Sequence, residues 1–167
     1  MKRFIIALVK VFYKFMFKIE IEGIENIPKD KNFLVVPNHM SYYDPPLIVA
    51  FLPVDMAYMA KESLFHVPVV GRVIKSFGAF PVKTSGNDIS AVKTAIKILK
   101  DGKSLTIFPE GTRVKTPGVL GEGKLGAAMI AAKAKIPSMI VNASNPEILY
   151  SVMDGTAKGT VFMVDNL

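Results

Sequence analysis

The chain of 167 residues has no cysteine, only two histidines, and no apolar run near the roughly 20 residues that span a bilayer. Without cysteine there is no disulfide framework, no thiolate nucleophile and no Cys-based zinc site, which fits a reducing compartment. Two histidines are too few for a His-rich metal site, and no metal or other cofactor is expected. Acidic residues are missing from residues 1–18, where Lys2, Arg3, Lys10, Lys14 and Lys18 supply +5 of the formal charge of +7. A nucleic-acid binder spreads its basic side chains over a folded face, so this concentration argues against a nucleic-acid partner.

Half of the residues, 50%, are hydrophobic, which is high for a soluble domain and in the absence of a spanning run suggests a peripheral membrane protein. At about 100° per residue, Arg3, Lys10, Lys14 and Lys18 fall within an arc of about 80°, and the remaining surface of residues 4–17 is almost wholly apolar. Such a helix, about 25 Å long, can lie in a membrane interface with its lysines near lipid phosphates. It can equally pack its apolar side on the domain. A signal peptide is disfavoured, because the apolar stretch before Lys10 is short and no small-x-small cleavage site follows.

Along the rest of the chain, strand and helix patterns alternate. Residues 17–23 alternate well enough for a first strand, and Phe33-Leu34-Val35-Val36 reads as a buried strand with His39 just past its end. Pro45-Pro46 opens a helix reaching Leu52, with Asp44 placed as its N-cap. Residues 56–60 read as a strand, 63–77 as a helix broken near Pro68, and 79–82 as a short strand. In the helix predicted over 88–100, Ile89, Val92, Ile96 and Leu99 form the apolar stripe and Gly102 the stop. A central strand over 105–108, a helix over 122–135, and strands over 138–141 and 160–164 complete the pattern. Together these imply a single-domain α/β sandwich with a largely parallel mixed sheet, its active groups beyond the carboxyl ends of the strands.

Two motifs fall at such ends. The first is Asn38-His39-Met40-Ser41-Tyr42-Tyr43-Asp44. A separation of five residues puts His39 and Asp44 side by side on neither a helix nor a strand, so a turn must join them, and Tyr42-Tyr43 before Pro45-Pro46 can supply it. A histidine tied to a carboxylate through one ring nitrogen is an oriented general base, here for a hydroxyl of the substrate. Alone, the pair would be explained by a capping aspartate and a surface histidine. The second motif is Phe108-Pro109-Glu110-Gly111-Thr112-Arg113, where a buried strand ends in a polar turn. Gly111 lets a ligand approach the backbone, Arg113 can grip a phosphate with two parallel hydrogen bonds, and Glu110 can accept from a hydroxyl or fix Arg113. Alone, an exposed turn with a Glu–Arg pair would explain it.

Two further patterns are decoys. Gly102-Lys103-Ser104 imitates the end of a P-loop but runs from helix to strand, and Gly121-Glu122-Gly123-Lys124-Leu125-Gly126 matches a dinucleotide fingerprint without a strand before it. No G-x-S-x-G elbow is present, so a serine hydrolase is unsupported.

Taken together and in this order, the two motifs closely resemble those of the lysophosphatidate (1-acylglycerol-3-phosphate) acyltransferase family over about residues 23–142. The resemblance implies His39 as base and Asp44 as its partner. It implies that Glu110, Gly111, Thr112 and Arg113 bind the glycerol phosphate. Lys61-Glu62-Ser63-Leu64-Phe65 and Lys124-Leu125-Gly126-Ala127 also look like family segments, which adds Lys124 to the substrate-binding candidates. The sequence departs from the family at Thr84, where an arginine usually follows the block ending in Lys83, so that Lys83 stands in as a point charge. It departs again at Pro137-Ser138-Met139-Ile140, which lacks a second proline, and it ends at Leu167, where the family's usual continuation would make the domain C-terminally short.

The implied organisation is a membrane-associating helix over residues 1–18 and a glycerolipid acyltransferase domain over 19–167, peripheral on the cytoplasmic face of the membrane. The implied reaction moves a fatty acyl group from acyl carrier protein or coenzyme A to the 2-hydroxyl of 1-acylglycerol 3-phosphate. The implied partners are the phospholipid surface and the thioester carrier. Two alternatives stand beside it: the same chemistry on another lysophospholipid or on glycerol phosphate, and a non-catalytic lipid-binding remnant.

Overall fold

A computed structural model describes residues 2–21, 24–52, 54–83, 88–114, 116, 119, 121–136, 138–140 and 160–162. At its centre is a parallel sheet of four strands in the order β1-β4-β2-β3: Leu34–Val35 (β1), Ser104–Thr106 (β4), Met56–Lys61 (β2) and Ala79–Val82 (β3). Leu34, Leu105 and Ala57 lie in register across it, as do Val35, Thr106 and Tyr58. Parallel strands must be joined by crossovers, and the intervening helices provide them.

Strand alternation divides the sheet into two faces. Leu105, Ala57 and Ile107 belong to the main core with Ala95 and Leu99 of Ile89–Lys100 (α4) and Ala127 and Ile130 of Gly126–Lys133 (α5). Leu105 and Ile130 are almost wholly buried, and each such side chain contributes about 1.5–3 kcal/mol of transfer free energy. On the opposite face Thr106 donates to Met56 Sδ at 3.7 Å, and Met56 and Tyr58 look toward Lys2–Met16 (α1) and Asp44–Phe51 (α2). Val70–Ser76 (α3) follows a 3₁₀ turn, Glu62–His66, and leads through Gly78 into β3.

Several expectations need correction. Residues 17–21 form no strand: the Phe17 N–H bonds back to the Tyr13 carbonyl at 2.9 Å, and Ile19 and Ile21 line a groove beside Leu47 and Phe51 of α2. Of the predicted apolar stripe of α4, Leu99 is buried and Val92 and Ile96 pack against the core, but Ile89 in the first turn is 65% exposed, and Ala91 and Ala95 are buried beside the stripe, where their small side chains allow close packing. Asp88 caps α4, accepting from the Ala91 N–H at 3.0 Å; bonds from the Ser90 hydroxyl and the Lys83 and Ala91 N–H groups pull its carboxyl down to about 2. The next helix begins at Gly126 rather than 122, since residues 121–124 run without regular structure and the Lys124 N–H bonds the Pro109 carbonyl at 2.9 Å. Ser138–Ile140 (β5) and Thr160–Phe162 (β6) pair antiparallel in a separate two-stranded sheet. The predicted ends of those strands at Val141 and 163–164, together with Thr84, Pro137 and Leu167, lie outside the described residues.

α1 carries two apolar faces. Tyr13 is buried against the domain and Ile5, Ile6 and Val9 are half-buried. Phe4, Leu8, Val11 and Phe15, spaced so that they share a stripe, stand outward at 67%, 55%, 67% and 87% exposure. Angularly, Lys14 lies toward one border of that outward stripe, whereas Lys10 is nearer the inward face, with its ammonium 5.8 Å from the Phe51 ring centroid.

Candidate active site

His39 leaves the carboxyl end of β1 and Glu110 the carboxyl end of β4, the neighbouring strand, so the sheet itself brings the two motifs together. His39 Nδ1 is 3.0 Å from Asp44 Oδ2, and the same oxygen accepts the Met40 and Ser41 N–H groups at 2.7 Å each. The carboxylate therefore faces backward along the chain, and it is not the N-cap that the sequence predicts; Tyr43 occupies that position without a side-chain bond. The prolines explain why the helix can do without it. Pro45 and Pro46 have no N–H to satisfy, the Asp44 N–H bonds the Ser41 carbonyl at 3.3 Å, and the Leu47 N–H already reaches the Tyr43 carbonyl at 3.0 Å. With the first turn satisfied, the Asp44 carboxylate is available to the imidazole.

The ring is held from a second side by Phe108, whose centroid lies 4.2 Å away at 32°. With Nδ1 facing Asp44, Nε2 has no hydrogen-bond partner among the described residues, and the side chain keeps 18% exposure, so the second nitrogen is open to an incoming hydroxyl. An Nδ1–H donated to the carboxylate leaves the lone pair on Nε2, the form a general base requires.

Glu110 is only 5% exposed and does not pair with Arg113. Its Oε1 accepts the His39 N–H at 3.3 Å, and its Oε2 is buried with no partner among the described residues. The Val114 N–H closes the other side of the loop on the His39 carbonyl at 2.8 Å. Gly121 makes room for this buried carboxylate: a Cβ there would stand 2.5 Å from Val114 Cγ2 and 2.7 Å from Glu110 Cγ. Arg113 sits over Tyr42, its Cζ 3.4 Å from the ring centroid, and its guanidinium has no carboxylate partner among the described residues. Gly111 has φ of 64°, in the left-handed region, and the Lys124 ammonium would lie 3.1 Å from a Cβ built there.

Gly111, the exposed Thr112 and Arg113 thus share one turn, and the Lys124 ammonium reaches it at Gly111 from the segment before α5. Lys83 is placed differently. It follows β3, two strand spacings or about 10 Å from β4. Lys61 ends β2, one strand nearer. Sequence reasoning missed the parts played by Phe108, Tyr42 and Gly121. Tyr42 lies inside the first motif, but nothing in its spacing reveals that it is the platform for an arginine 71 residues away.

Such a site, an Asp-oriented histidine beside a cationic, glycine-containing turn at the carboxyl ends of adjacent parallel strands, has the parts for base-assisted chemistry next to an anionic group. The chain belongs to the acyltransferase family: the family model described as Acyltransferase matches residues 18–143. It is 36% identical over 138 residues to the 1-acyl-sn-glycerol-3-phosphate acyltransferase of Bacillus subtilis (strain 168), covering 82% of this chain and 68% of that one. To the enzyme of the same name from Streptococcus pneumoniae it is 35% identical over 128 residues, 75% of this chain and 47% of that one. Among solved structures, the 1-acyl-sn-glycerophosphate (LPA) acyltransferase of Thermotoga maritima superimposes with a TM-score of 0.67 at 34% identity, covering 83% of this chain and 57% of that one. The chain therefore spans about two thirds of the first relative and about half of the other two.

Proposed function

We propose that this chain transfers a fatty acyl group from an acyl thioester, of acyl carrier protein or coenzyme A, to the 2-hydroxyl of 1-acylglycerol 3-phosphate, giving phosphatidate. The observation that carries the reading is the 3.0 Å His39–Asp44 contact with Nε2 left open, in a chain 36% identical to an enzyme named for that reaction. His39 Nε2 takes the hydroxyl proton as the oxygen attacks the thioester carbonyl. The carbon–sulfur bond breaks as the tetrahedral intermediate collapses, and the proton passes from His39 to the departing thiolate. No acyl-enzyme is formed. Asp44 fixes the tautomer and stabilises the transient imidazolium. Arg113 and Lys124 bind the phosphate, with Lys83 as a more distant cation and the Gly111 and Thr112 backbone as the floor. Glu110 holds the His39 main chain, so its contribution to acceptor binding is indirect.

The test is acyl transfer by purified protein, with acyl-carrier-protein and coenzyme A thioesters as donors and lysophosphatidate, other lysophospholipids and glycerol phosphate as acceptors. Transfer to lysophosphatidate should exceed the others. A faster rate with another acceptor would reassign the substrate, and no transfer to any of them would leave a lipid-binding remnant.

An acceptor that resides in a bilayer requires the site to reach the membrane surface, and α1 is suited to bring it there. No helix among the described residues is long and apolar enough to cross a membrane. The outward stripe of Phe4, Leu8, Val11 and Phe15 can enter the interface while Lys14 and Lys18 meet anionic headgroups on the cytoplasmic face, with Lys10 adding its charge from the domain side. Each cation near such a surface adds on the order of 1 kcal/mol, or about fivefold in affinity. Changing Lys10, Lys14 and Lys18 to glutamine should weaken sedimentation with anionic vesicles at low salt more than at high salt. Changing Phe4, Leu8, Val11 and Phe15 to serine should release the protein from neutral vesicles as well. If both variants sediment like the wild type, membrane contact lies elsewhere.

A further inference from the structure

We propose that Tyr13 is a positioning residue for the His39–Asp44 pair, so that the N-terminal helix sets the geometry of the reacting loop through one hydroxyl. Tyr13 is the buried residue of α1, at 3% exposure. Its hydroxyl donates to the Tyr43 carbonyl, the carbonyl of the peptide that leads into Asp44. That oxygen also accepts the Leu47 N–H at 3.0 Å, so both of its lone pairs are engaged, one by α2 and one by α1. The N–H of the same peptide bonds the Ser41 carbonyl at 3.3 Å. The peptide is pinned at both ends, and the next side chain is the carboxylate that orients His39.

The half-exposed Tyr43 ring lies against the end of the same helix, with centroids 6.1 Å from Phe12, 6.3 Å from Tyr13 and 5.7 Å from Phe17 just past it. Burial first, then the negative charge of Asp44, then Tyr43, raise the Tyr13 phenol above its usual pKa, which keeps it a donor and attests its closeness to the pair. At its amino end α1 is held by charge: Lys2 pairs with Asp55 at 2.5 Å, and Lys2, Ile6 and Lys10 border a cavity of about 410 Å³ whose other walls include Ala50, Met56 and Tyr58. At its carboxyl end the contact is the buried Tyr13, the residue that touches the loop.

Tyr13→Phe removes the hydroxyl and keeps the ring. With only two histidines in the chain, the His39 imidazole can be assigned by ¹⁵N NMR against a His66→Gln reference and its tautomer read in alkaline buffer. Wild type should show the Nδ1–H form. Tyr13→Phe should mix the two tautomers, and, since a hydrogen bond contributes modestly, lower kcat by about 3- to 10-fold with KM changed less than about twofold. The kinetic arm rests on the acyl-transfer reading and the NMR arm does not, so a tautomer shift in a protein without activity would overturn that reading alone. A wild-type tautomer and kcat in Tyr13→Phe, whatever its Tm, would overturn the proposal. Phe15→Ser, on the outward face, should leave the tautomer unchanged; if it mixed the tautomers as Tyr13→Phe does, the effect would belong to the helix as a whole and not to the hydroxyl.

Discussion

His39→Ala should lower kcat by about 10²- to 10⁴-fold, the usual contribution of a positioned general base, while the protein stays folded. The fold should survive because the loop does not hang on the imidazole: Asp44 Oδ2 retains the Met40 and Ser41 N–H groups at 2.7 Å, and the His39 main chain retains Glu110 and Val114. The measurement is steady-state acyl transfer beside a thermal melt. A folded His39→Ala protein with wild-type kcat would remove His39 from the mechanism. Asp44→Asn should differ in kind. An amide offers its oxygen to fewer donors and can donate to Nδ1, which favours the wrong tautomer, so kcat should fall steeply; two backbone N–H groups also lose a charged acceptor, so Tm should fall too.

Arg113→Ala should weaken use of a phosphate-bearing acceptor by about 10- to 150-fold in kcat/KM, the equivalent of one charge-assisted hydrogen bond of roughly 1.5–3 kcal/mol. The structure sharpens this expectation, because Arg113 has no carboxylate partner among the described residues and rests on Tyr42 instead, at 3.4 Å. A guanidinium already stacked loses little freedom on binding an anion. The loss should be small for a lysolipid acceptor without phosphate, and comparing the two acceptors is the measurement. Equal losses would make Arg113 a structural residue that secures Tyr42. Arg113→Lys should recover only part of the rate, since lysine keeps the charge but neither the fork nor the stacking.

The order of strands and helices was legible because short apolar runs closed by turn residues mark buried strands, as around Leu34–Val35 and Ser104–Thr106, and apolar residues at helical spacing mark the helices between them. The two motifs were legible because each marks the end of such a strand. Periodicity failed where a competing contact won. Ile19 and Ile21 alternate like a strand, but the chain there runs beside α2; Ile89 has the spacing of Val92, Ile96 and Leu99, which face the core, yet stands exposed in the first turn of α4.

The amino-acid sequence by itself determined the class of fold and marked the His39–Asp44 pair and the turn over 108–113 as the candidate site, since these depend on residue type and on spacing within a few positions. Tertiary structure alone decided which groups hold them: Asp44 turned toward His39 because two prolines leave its helix nothing to cap, Glu110 drawn under the His39 main chain, Arg113 laid on Tyr42, and Tyr13 bonded to the Tyr43 carbonyl. The physical reason is range. Hydrogen bonds and ring contacts are short, and the residues that make these last three lie 71, 71 and 30 positions apart, so no local pattern in the chain encodes them until the parallel sheet sets β1 beside β4 and α1 closes over α2.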